Sequence, residues 1–226
     1  MKYIVMCGGD YHKWWKKPRQ LVKVNGEPLV ARTIRLLREN GIEDIAISTN
    51  DPVFKKFGVP ILSHKNEYAG YDPKSPHKGY WCDGFYPMDE PACYIFGDVY
   101  FSPEAIKTIV ETETDDIEFF GSAPPFPPEY PKTNEEPFAF KVVNQQHLRE
   151  ACEEVKRLHK QGGVFFRDPI AWELWEVIKG LPHATGYGKF AWDSYTVIND
   201  YTCDIDRVSH MNLYAKNKAH KVVMVQ

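Results

Sequence analysis

The sequence lacks a hydrophobic run long enough to cross a membrane, and it lacks a strong excess of charge of either sign. Its 226 residues carry a formal net charge of -3, with acidic and basic residues mixed along the chain. That mixture gives no broad basic face of the kind that binds nucleic acid, so a small-molecule partner is favoured. The apolar run before Gly8 is too short for a signal peptide. We therefore expect a cytoplasmic protein that binds neither a membrane nor nucleic acid.

Cysteine is scarce, and its spacing gives no metal or disulfide motif. There are five cysteines, an odd number without a C-x-x-C pair, at positions Cys7, Cys82, Cys93, Cys152 and Cys203. This pattern favours buried reduced thiols over a disulfide framework or a zinc site. The eight histidines show no ligand spacing, so none is assigned to a metal.

Short apolar runs alternate with helical patterns, which predicts an α/β fold. The chain is 43% hydrophobic, enough to bury a full core. Predicted strands cover residues 3–7, 21–24, 45–48, 59–62, 93–96, 117–121, 138–142 and 196–198, and the Asn25-Gly26 pair predicts a turn after the second of them. Predicted helices cover 29–38, 52–57, 145–159, 169–178 and 208–216, and Ser102 is the predicted N-cap of one more helix. Strands and helices in this order are typical of a parallel sheet wound with helices. Residues 64–91 interrupt the pattern with Gly, Pro and aromatic residues, and predict a long loop with at most a short helix.

The first predicted strand ends in Gly8 and Gly9 and is followed by a basic loop that contains Lys13, Lys17 and Arg19. Glycines let the backbone approach a ligand, and N–H groups with cationic side chains neutralise phosphates. The loop therefore suits a triphosphate. An ordinary strand-to-loop turn with solvated cations explains the same residues equally well.

Acidic residues follow two other predicted strands. Asp98 comes just after the carboxyl end of a hydrophobic strand, where ligands bind in open α/β sheets, and one carboxylate there suits Mg²⁺ bridging phosphates. Asp204 and Asp206 flank Ile205, and in an extended segment both would point to one side. They could close a metal site with Asp98. Each Asp is also explained as a capping residue of a turn or helix.

The order of these features resembles the nucleotidyltransferase superfamily. The family opens with A-G-G-x-G-x-R, followed by P-K and then an N-G-x-P-L helix, and the corresponding stations here are Cys7-Gly8-Gly9-Asp10-Tyr11-His12-Lys13, Pro18-Arg19 and Asn25-Gly26-Glu27-Pro28-Leu29. Lys13 thus stands where Arg is usual, and Arg19 where Lys is usual. Because a planar guanidinium and an ammonium grip phosphate differently, these exchanges bear on the geometry of the loop. Tyr11 replaces a glycine, which removes easy access to positive φ.

The resemblance implies a three-layer α/β/α fold with a mostly parallel mixed sheet, the Rossmann-like GT-A-like fold, in a single domain over residues 1–226. It implies a catalytic role for Lys13 and Arg19, and it places the nucleotide at Cys7, Gly8, Gly9, Lys13, Lys17 and Arg19. Asp98, with Asp204 or Asp206, would hold Mg²⁺ or Mn²⁺. An acceptor phosphate would attack the α-phosphorus in line, and pyrophosphate would leave.

The resemblance also suggests substrates. Pro18-Arg19-Gln20-Leu21 is similar to the P-K-Q-L variant of cytidylyltransferases, which makes CTP the first candidate. The acceptor would be a small phosphorylated molecule such as a sugar or polyol phosphate, contacted by the insertion at 64–91 and by an acceptor-side region at about 122–195. Within that region, Lys189 and Trp192 follow a glycine-rich turn and are candidates for closing over the acceptor, although a surface loop explains them equally. The spacing of Trp172 and Trp175 is helical and favours a core position.

Two other functions are compatible with the sequence. The sequence does not specify the oligomeric state, and a homodimer is one option. A metal-dependent GT-A glycosyltransferase with a nucleotide-sugar donor would use an acidic D-x-D site, but it does not need the Gly-Gly to Pro-Arg loop. A catalytically silent nucleotide-binding module would explain the exchanged cations and the lost glycine.

Overall fold

A computed structural model of the protein describes residues 1–8, 18–63, 80–126 and 134–205. Its strands, in chain order, are β1 (Lys2–Met6), β2 (Lys23–Val24), β3 (Glu27–Pro28), β4 (Ile45–Ser48), β5 (Ile61–Leu62), β6 (Ala92–Phe96), β7 (Val99–Tyr100), β8 (Ile117–Gly121), β9 (Pro137–Val142), β10 (Thr196–Val197) and β11 (Cys203–Asp204). The α-helices are α1 (Leu29–Glu39), α2 (Pro103–Glu111), α3 (Gln145–Gln161) and α4 (Ala171–Lys179). Short 3-10 helices lie at Arg19–Leu21, Pro52–Phe57, Trp81–Gly84 and Trp192–Ser194.

Seven strands form the central sheet in the order β10-β8-β9-β6-β1-β4-β5. β1 pairs in parallel with both β4 and β6, β4 pairs in parallel with β5, and β8 with β10. β9 is antiparallel to both of its neighbours, β6 and β8. Every residue of β4 and β6 is buried, as expected for strands that are covered on both faces. The predicted mixed, mostly parallel α/β sheet is therefore confirmed.

Helices cover both faces of this sheet. Adjacent residues of a strand point to opposite faces, so Phe140 and Lys141 of β9 identify the two sides. The Phe140 ring lies 6.4 Å from the ring of Trp175 in α4. The ammonium of Lys141 instead donates to the carbonyl oxygens of Ile109 in α2, at 3.0 Å, and of Thr112 just after it, at 2.6 Å. The sheet therefore lies between α2 and α4, which gives three layers.

Turn and capping residues in the sequence determine where several strands and helices begin or end. The β2–β3 hairpin turns through Asn25 and Gly26, both with positive φ, as the Asn-Gly pair predicts. Ser102 caps α2, since its hydroxyl oxygen accepts a hydrogen bond from the amide of Ala105 at 2.8 Å. The strand predicted at 59–62 is shorter, because only Ile61–Leu62 pairs with β4.

Part of the predicted insertion and the whole of the helix predicted at 208–216 lie outside the described residues. In the insertion at 64–91, the described part from residue 80 onward contains the short 3-10 helix Trp81–Gly84. Residues 64–79 and the helix predicted at 208–216 are not among the described residues. Over the part of the chain that is described, no helix combines the length and the apolar character needed to cross a bilayer.

Candidate functional site

The candidate site lies at the sheet edge where β1 and β6 end. The two strands are parallel neighbours, with Met6 paired with Phe96, so Cys7 and Gly97 leave the sheet side by side. The amide of Gly97 donates to the carbonyl oxygen of Met6 at 3.0 Å, and the amide of Cys7 donates to that of Ser48 in β4 at 2.8 Å. Gly8 and Asp98 therefore follow two strands that end at the same edge of the sheet.

Gly97 lets three chain segments approach closely at this edge. A Cβ atom on Gly97 would lie 2.6 Å from the Met6 carbonyl oxygen, 2.7 Å from Cys7 Sγ and 3.0 Å from Cγ of Gln20. The first two distances are shorter than any normal contact, and the first involves backbone, which cannot move aside easily. The absence of a side chain at Gly97 therefore allows the 3-10 helix Arg19–Leu21 to pack against the ends of β1 and β6. The sequence reasoning identified Gly97 only as the end of a strand.

Arg19 and Asp98 form an ion pair at this edge. Nη2 of Arg19 lies 2.7 Å from Oδ2 of Asp98, and the side chains are 24% and 17% exposed. The sequence assigned Arg19 to phosphate binding and Asp98 to metal binding. The predicted phosphate ligand and the predicted metal ligand therefore contact each other directly.

The acidic segment near the end of the chain returns beside Asp98. β11 pairs antiparallel with β7, which sets Asp204 opposite Val99, and the amide of Ile205 donates to the carbonyl oxygen of Asp98 at 3.1 Å. The backbone segments that carry Asp98 and Asp204 are therefore neighbours. Asp206 lies outside the described residues.

The donor set suits a hard divalent cation shared with phosphates. Asp98 and Asp204 are carboxylate residues carried by adjacent backbone segments. Among the residues that the structure describes, no group of three or more His, Cys, Asp or Glu side chains forms a metal cluster. Mg²⁺ commonly binds through one or two carboxylates together with waters and substrate phosphates, rather than in an all-protein cage. The residues present fit that mode.

The remaining predicted nucleotide contacts are divided between described and undescribed residues. Gly8 is exposed, whereas Cys7 is buried at the end of β1. Burial, and secondarily the nearby charge of Asp98, raises the pKa of Cys7 well above its usual value. The thiol is therefore neutral at physiological pH, and only the backbone of this residue is suited to a ligand. Gly9, Lys13 and Lys17 lie outside the described residues.

Two glutamates that the sequence reasoning missed lie at the same edge. Because β9 runs antiparallel to β6 and β8, the residues that precede β9 lie where those strands end. Glu136 accepts a hydrogen bond from the amide of Asp204 at 3.2 Å, and Glu135 accepts one from the indole nitrogen of Trp192 at 3.0 Å. Trp192 remains 37% exposed. The glutamates carry no motif, and only the direction of β9 reveals their position.

The other candidate residues of the acceptor-side region divide between the core and the surface. Trp172 and Trp175 are buried, which confirms the core interpretation of their spacing. Arg167 pairs with the buried carboxylate of Glu173 at 2.6 Å. Lys189 lies on the surface.

Residues 3–117 match the family model of the MobA-like NTP transferase domain. This range contains β1, the Pro18-Arg19 station, the hairpin, α1 and the Asp98 turn. Among curated proteins, the bifunctional IPC transferase and DIPP synthase of Thermococcus kodakarensis is 35% identical over 57 residues. That match spans 24% of this chain and 13% of the relative's length.

Solved structures share the fold over nearly the whole chain. A putative glucose-1-phosphate thymidylyltransferase from Bacillus anthracis superposes with a TM-score of 0.54, at 13% identity, over 100% of this chain and 97% of that one. HddC from Yersinia pseudotuberculosis, in complex with GMP-PN, gives a TM-score of 0.50 at 14% identity over 96% and 98% of the two chains. At these identities, the likeness establishes the fold.

Proposed function

Because this chain belongs to the MobA-like NTP transferase family, an NTP-dependent group, we propose that it transfers a nucleoside monophosphate from an NTP to a small phosphorylated acceptor and releases pyrophosphate. CTP is the first candidate donor, and a sugar or polyol phosphate is the candidate acceptor. The observation that carries the proposal is the meeting of Arg19 and Asp98 at the edge where β1 and β6 end. This edge would provide a cation for phosphate and a carboxylate for a metal in one place.

The donor nucleotide would be bound by backbone groups and by positively charged side chains. Gly8 is exposed at the end of β1, where its backbone can approach a nucleotide, and Gly9 follows it in the sequence. The guanidinium of Arg19 would bind phosphate oxygens and stabilise the charge that builds on them during transfer. Lys13 and Lys17 are proposed to add positive charge from the same loop.

Asp98, together with Asp204 or Asp206, would hold Mg²⁺ or Mn²⁺. The bound ion would neutralise the phosphates of the donor and of the leaving pyrophosphate. Asp98 and Asp204 are suited to this because their backbone segments are hydrogen-bonded neighbours at the site.

The acceptor half would lie beyond Asp98, towards β9 and β10. Trp192, with its indole nitrogen bonded to Glu135, presents an exposed aromatic face there, and Glu136 lies next to Asp204. The acceptor's own phosphate would be the nucleophile, so the protein needs only to orient it. The neutral thiol of Cys7 agrees with a reaction that uses no protein nucleophile.

The comparisons support the proposal at different levels of detail. The GMP-PN in the HddC structure supports a nucleotide as the ligand of this fold, while Pro18-Arg19-Gln20-Leu21 favours CTP here. The Thermococcus relative is named for a transferase activity, and its match spans only 13% of that protein. We further propose that residues 1–226 form a single domain that acts in the cytoplasm.

The test is a pyrophosphate-release assay with each of the four NTPs, Mg²⁺ and a panel of sugar and polyol phosphates. We expect release that requires both one NTP and one acceptor, with CTP the best donor. In one control reaction, nucleotide sugars replace the NTP. In another, the free sugar replaces the acceptor phosphate. Sugar transfer with release of a nucleoside diphosphate would instead identify a glycosyltransferase, and nucleotide binding without turnover would identify a silent module.

A further inference from the structure

Two of the five cysteines, Cys82 and Cys152, lie next to each other although they are 70 positions apart in the sequence. All five cysteines are free thiols in this structure. Sγ of Cys82 lies 3.9 Å from the backbone carbonyl oxygen of Cys152, and the two thiol groups hydrogen-bond each other. The contact joins distant segments of the chain, so the spacing of the cysteines gives no sign of it.

Further contacts hold the end of the insertion against α3 on either side of the thiols. Lys156 and His159 follow Cys152 by four and seven residues, so the three side chains share one face of this helix. The ammonium of Lys156 lies 2.8 Å from Oδ1 of Asp83, and the ring of Tyr80 meets the ring of His159 edge-on at 5.5 Å. These contacts keep the two sulfur atoms within reach of each other in the folded protein.

We propose that Cys82 and Cys152 are a redox-responsive pair that closes to a disulfide when the protein meets hydrogen peroxide and reopens with a dithiol. A disulfide requires the two sulfur atoms to approach to about 2.05 Å. Two thiols that already hydrogen-bond each other reach this distance by rotation of their side chains. The inference is independent of the proposed function.

The chemistry consumes one molecule of peroxide for each disulfide. Cys152 is partly exposed whereas Cys82 is buried, so the peroxide meets Cys152 first. The sulfur of Cys152 breaks the O–O bond, becomes a sulfenic acid and releases water. The sulfur of Cys82 then attacks the sulfenic sulfur, and the S–O bond breaks as the Cys82 proton joins the leaving hydroxide as a second water. Two thiols are oxidised, and one peroxide is reduced to two molecules of water.

The environment of the pair keeps it reduced during brief contact with an oxidant. Hydrogen bonding to Cys82, followed by burial, raises the pKa of Cys152, and the nearby ammonium of Lys156 acts in the opposite direction. Because the thiolate is the reactive form, the first oxidation step is slow. The pair therefore responds to prolonged exposure to peroxide.

The disulfide would tie the 3-10 helix Trp81–Gly84 covalently to α3. The amides of Asp83 and Phe85 donate to the carbonyl oxygens of Tyr80 and Cys82, so their hydrogen exchange with the solvent reports how often this helix opens. A cross-link to α3 restricts such opening. We expect both amides to exchange about 5-fold or more slowly in the oxidised protein.

The experiment oxidises the full, folded chain with hydrogen peroxide for several hours. The remaining thiols are then blocked with N-ethylmaleimide in urea, and the peptides are mapped by mass spectrometry without reduction. We expect a pair of peptides joined through Cys82 and Cys152, with the loss of two hydrogen atoms, and dithiothreitol should separate them. Cys7, Cys93 and Cys203 are buried and serve as internal controls that should remain thiols.

Two variants and the wild type decide the question together. Cys82→Ala and Cys152→Ala should each abolish the cross-link, and circular dichroism checks that each is folded. The wild-type map is decisive even where a variant does not fold. Absence of the cross-link in the wild type, a cross-link that forms only in urea, or unchanged exchange at Asp83 and Phe85 after cross-linking would overturn the proposal. These measurements do not involve pyrophosphate release, so their failure would leave the proposed function intact.

Discussion

The amide of Ile205 donates a hydrogen bond to the carbonyl oxygen of Asp98 at 3.1 Å, although the two residues are far apart in the sequence. This bond continues the pairing of β11 with β7, which sets Asp204 beside Val99. The last described strand thus brings a second carboxylate to the edge where β1 and β6 end. A metal-bound polyphosphate at this edge would meet groups from distant parts of the chain.

Replacing either member of the central ion pair should abolish most of the turnover. We expect Arg19→Ala and Asp98→Ala each to lower the rate of pyrophosphate release by about 100-fold or more, because each removes a group that stabilises charge in the transition state. The measurement is the acceptor-dependent rate at saturating NTP and Mg²⁺. Arg38→Ala, which removes an exposed arginine near the end of α1, is the matched control and should keep the wild-type rate. A normal rate in both site variants would remove these residues from the site.

Gly97→Ala should destabilise the protein, because its Cβ would lie 2.6 Å from a backbone oxygen and 2.7 Å from Cys7 Sγ. We expect a loss of about 1 to 3 kcal/mol in the free energy of unfolding, the usual cost of overpacking a tight site. Urea unfolding measures it. Gly186→Ala is the control, since a Cβ there meets no atom within 4 Å and the backbone has no positive φ. Equal stability of the two variants would contradict the close packing at the edge.

Lys141→Met should also be destabilising, for a different reason. The buried ammonium donates to the carbonyl oxygens of Ile109 and Val110, in the last turn of α2, and of Thr112, which follows α2. Methionine fills similar volume but leaves these carbonyls without that donor, so we expect a loss of about 2 to 4 kcal/mol. Chemical unfolding at neutral pH measures the loss, and Lys107→Met, on the exposed side of α2, should change stability little. A stable Lys141→Met variant would show that burial of the lysine costs as much as its hydrogen bonds contribute.

Cys7 should resist alkylation in the folded protein. Burial raises the pKa of Cys7, so the folded chain keeps this proton at a pH where the unfolded thiol has begun to lose it. Because the thiolate is the reactive form, iodoacetamide at pH 8 should leave Cys7 unmodified in the native protein and modify it in urea. Peptide mapping by mass spectrometry reads the result. Rapid modification of the native protein at Cys7 would contradict a neutral thiol at the end of β1.

The sequence predicted the parts of the fold that depend on neighbouring residues. Ile45–Ser48 is a strand as predicted, the Asn25-Gly26 turn closes its hairpin, and Ser102 caps α2, because burial pattern, turn chemistry and capping are local properties. The antiparallel direction of β9 was not predictable, because it depends on how distant segments pair. Glu135 and Glu136 were missed for that reason, since only the direction of β9 brings them to the site.

The sequence predicted that Arg19 and Asp98 lie near each other, but not that their side chains form an ion pair. Order along the chain and resemblance to a family identified Arg19 and Asp98 as functional candidates. Their direct ion pair depends on Gly97, which allows the ends of β1 and β6 and the 3-10 helix Arg19–Leu21 to pack within contact distance. Such a packing relation has no signature in the sequence, because it involves three segments at once.

The most direct test of the proposed reaction follows the phosphorus atoms of the donor. CTP labelled at either the α- or the γ-phosphate would be incubated with the protein, Mg²⁺ and the active acceptor phosphate, with Asp98→Asn as the control. We expect the α label in the acceptor-linked product and the γ label in pyrophosphate, and we expect neither labelled product to form with the variant. The γ label appearing on the acceptor or in inorganic phosphate, or full activity in Asp98→Asn, would contradict it.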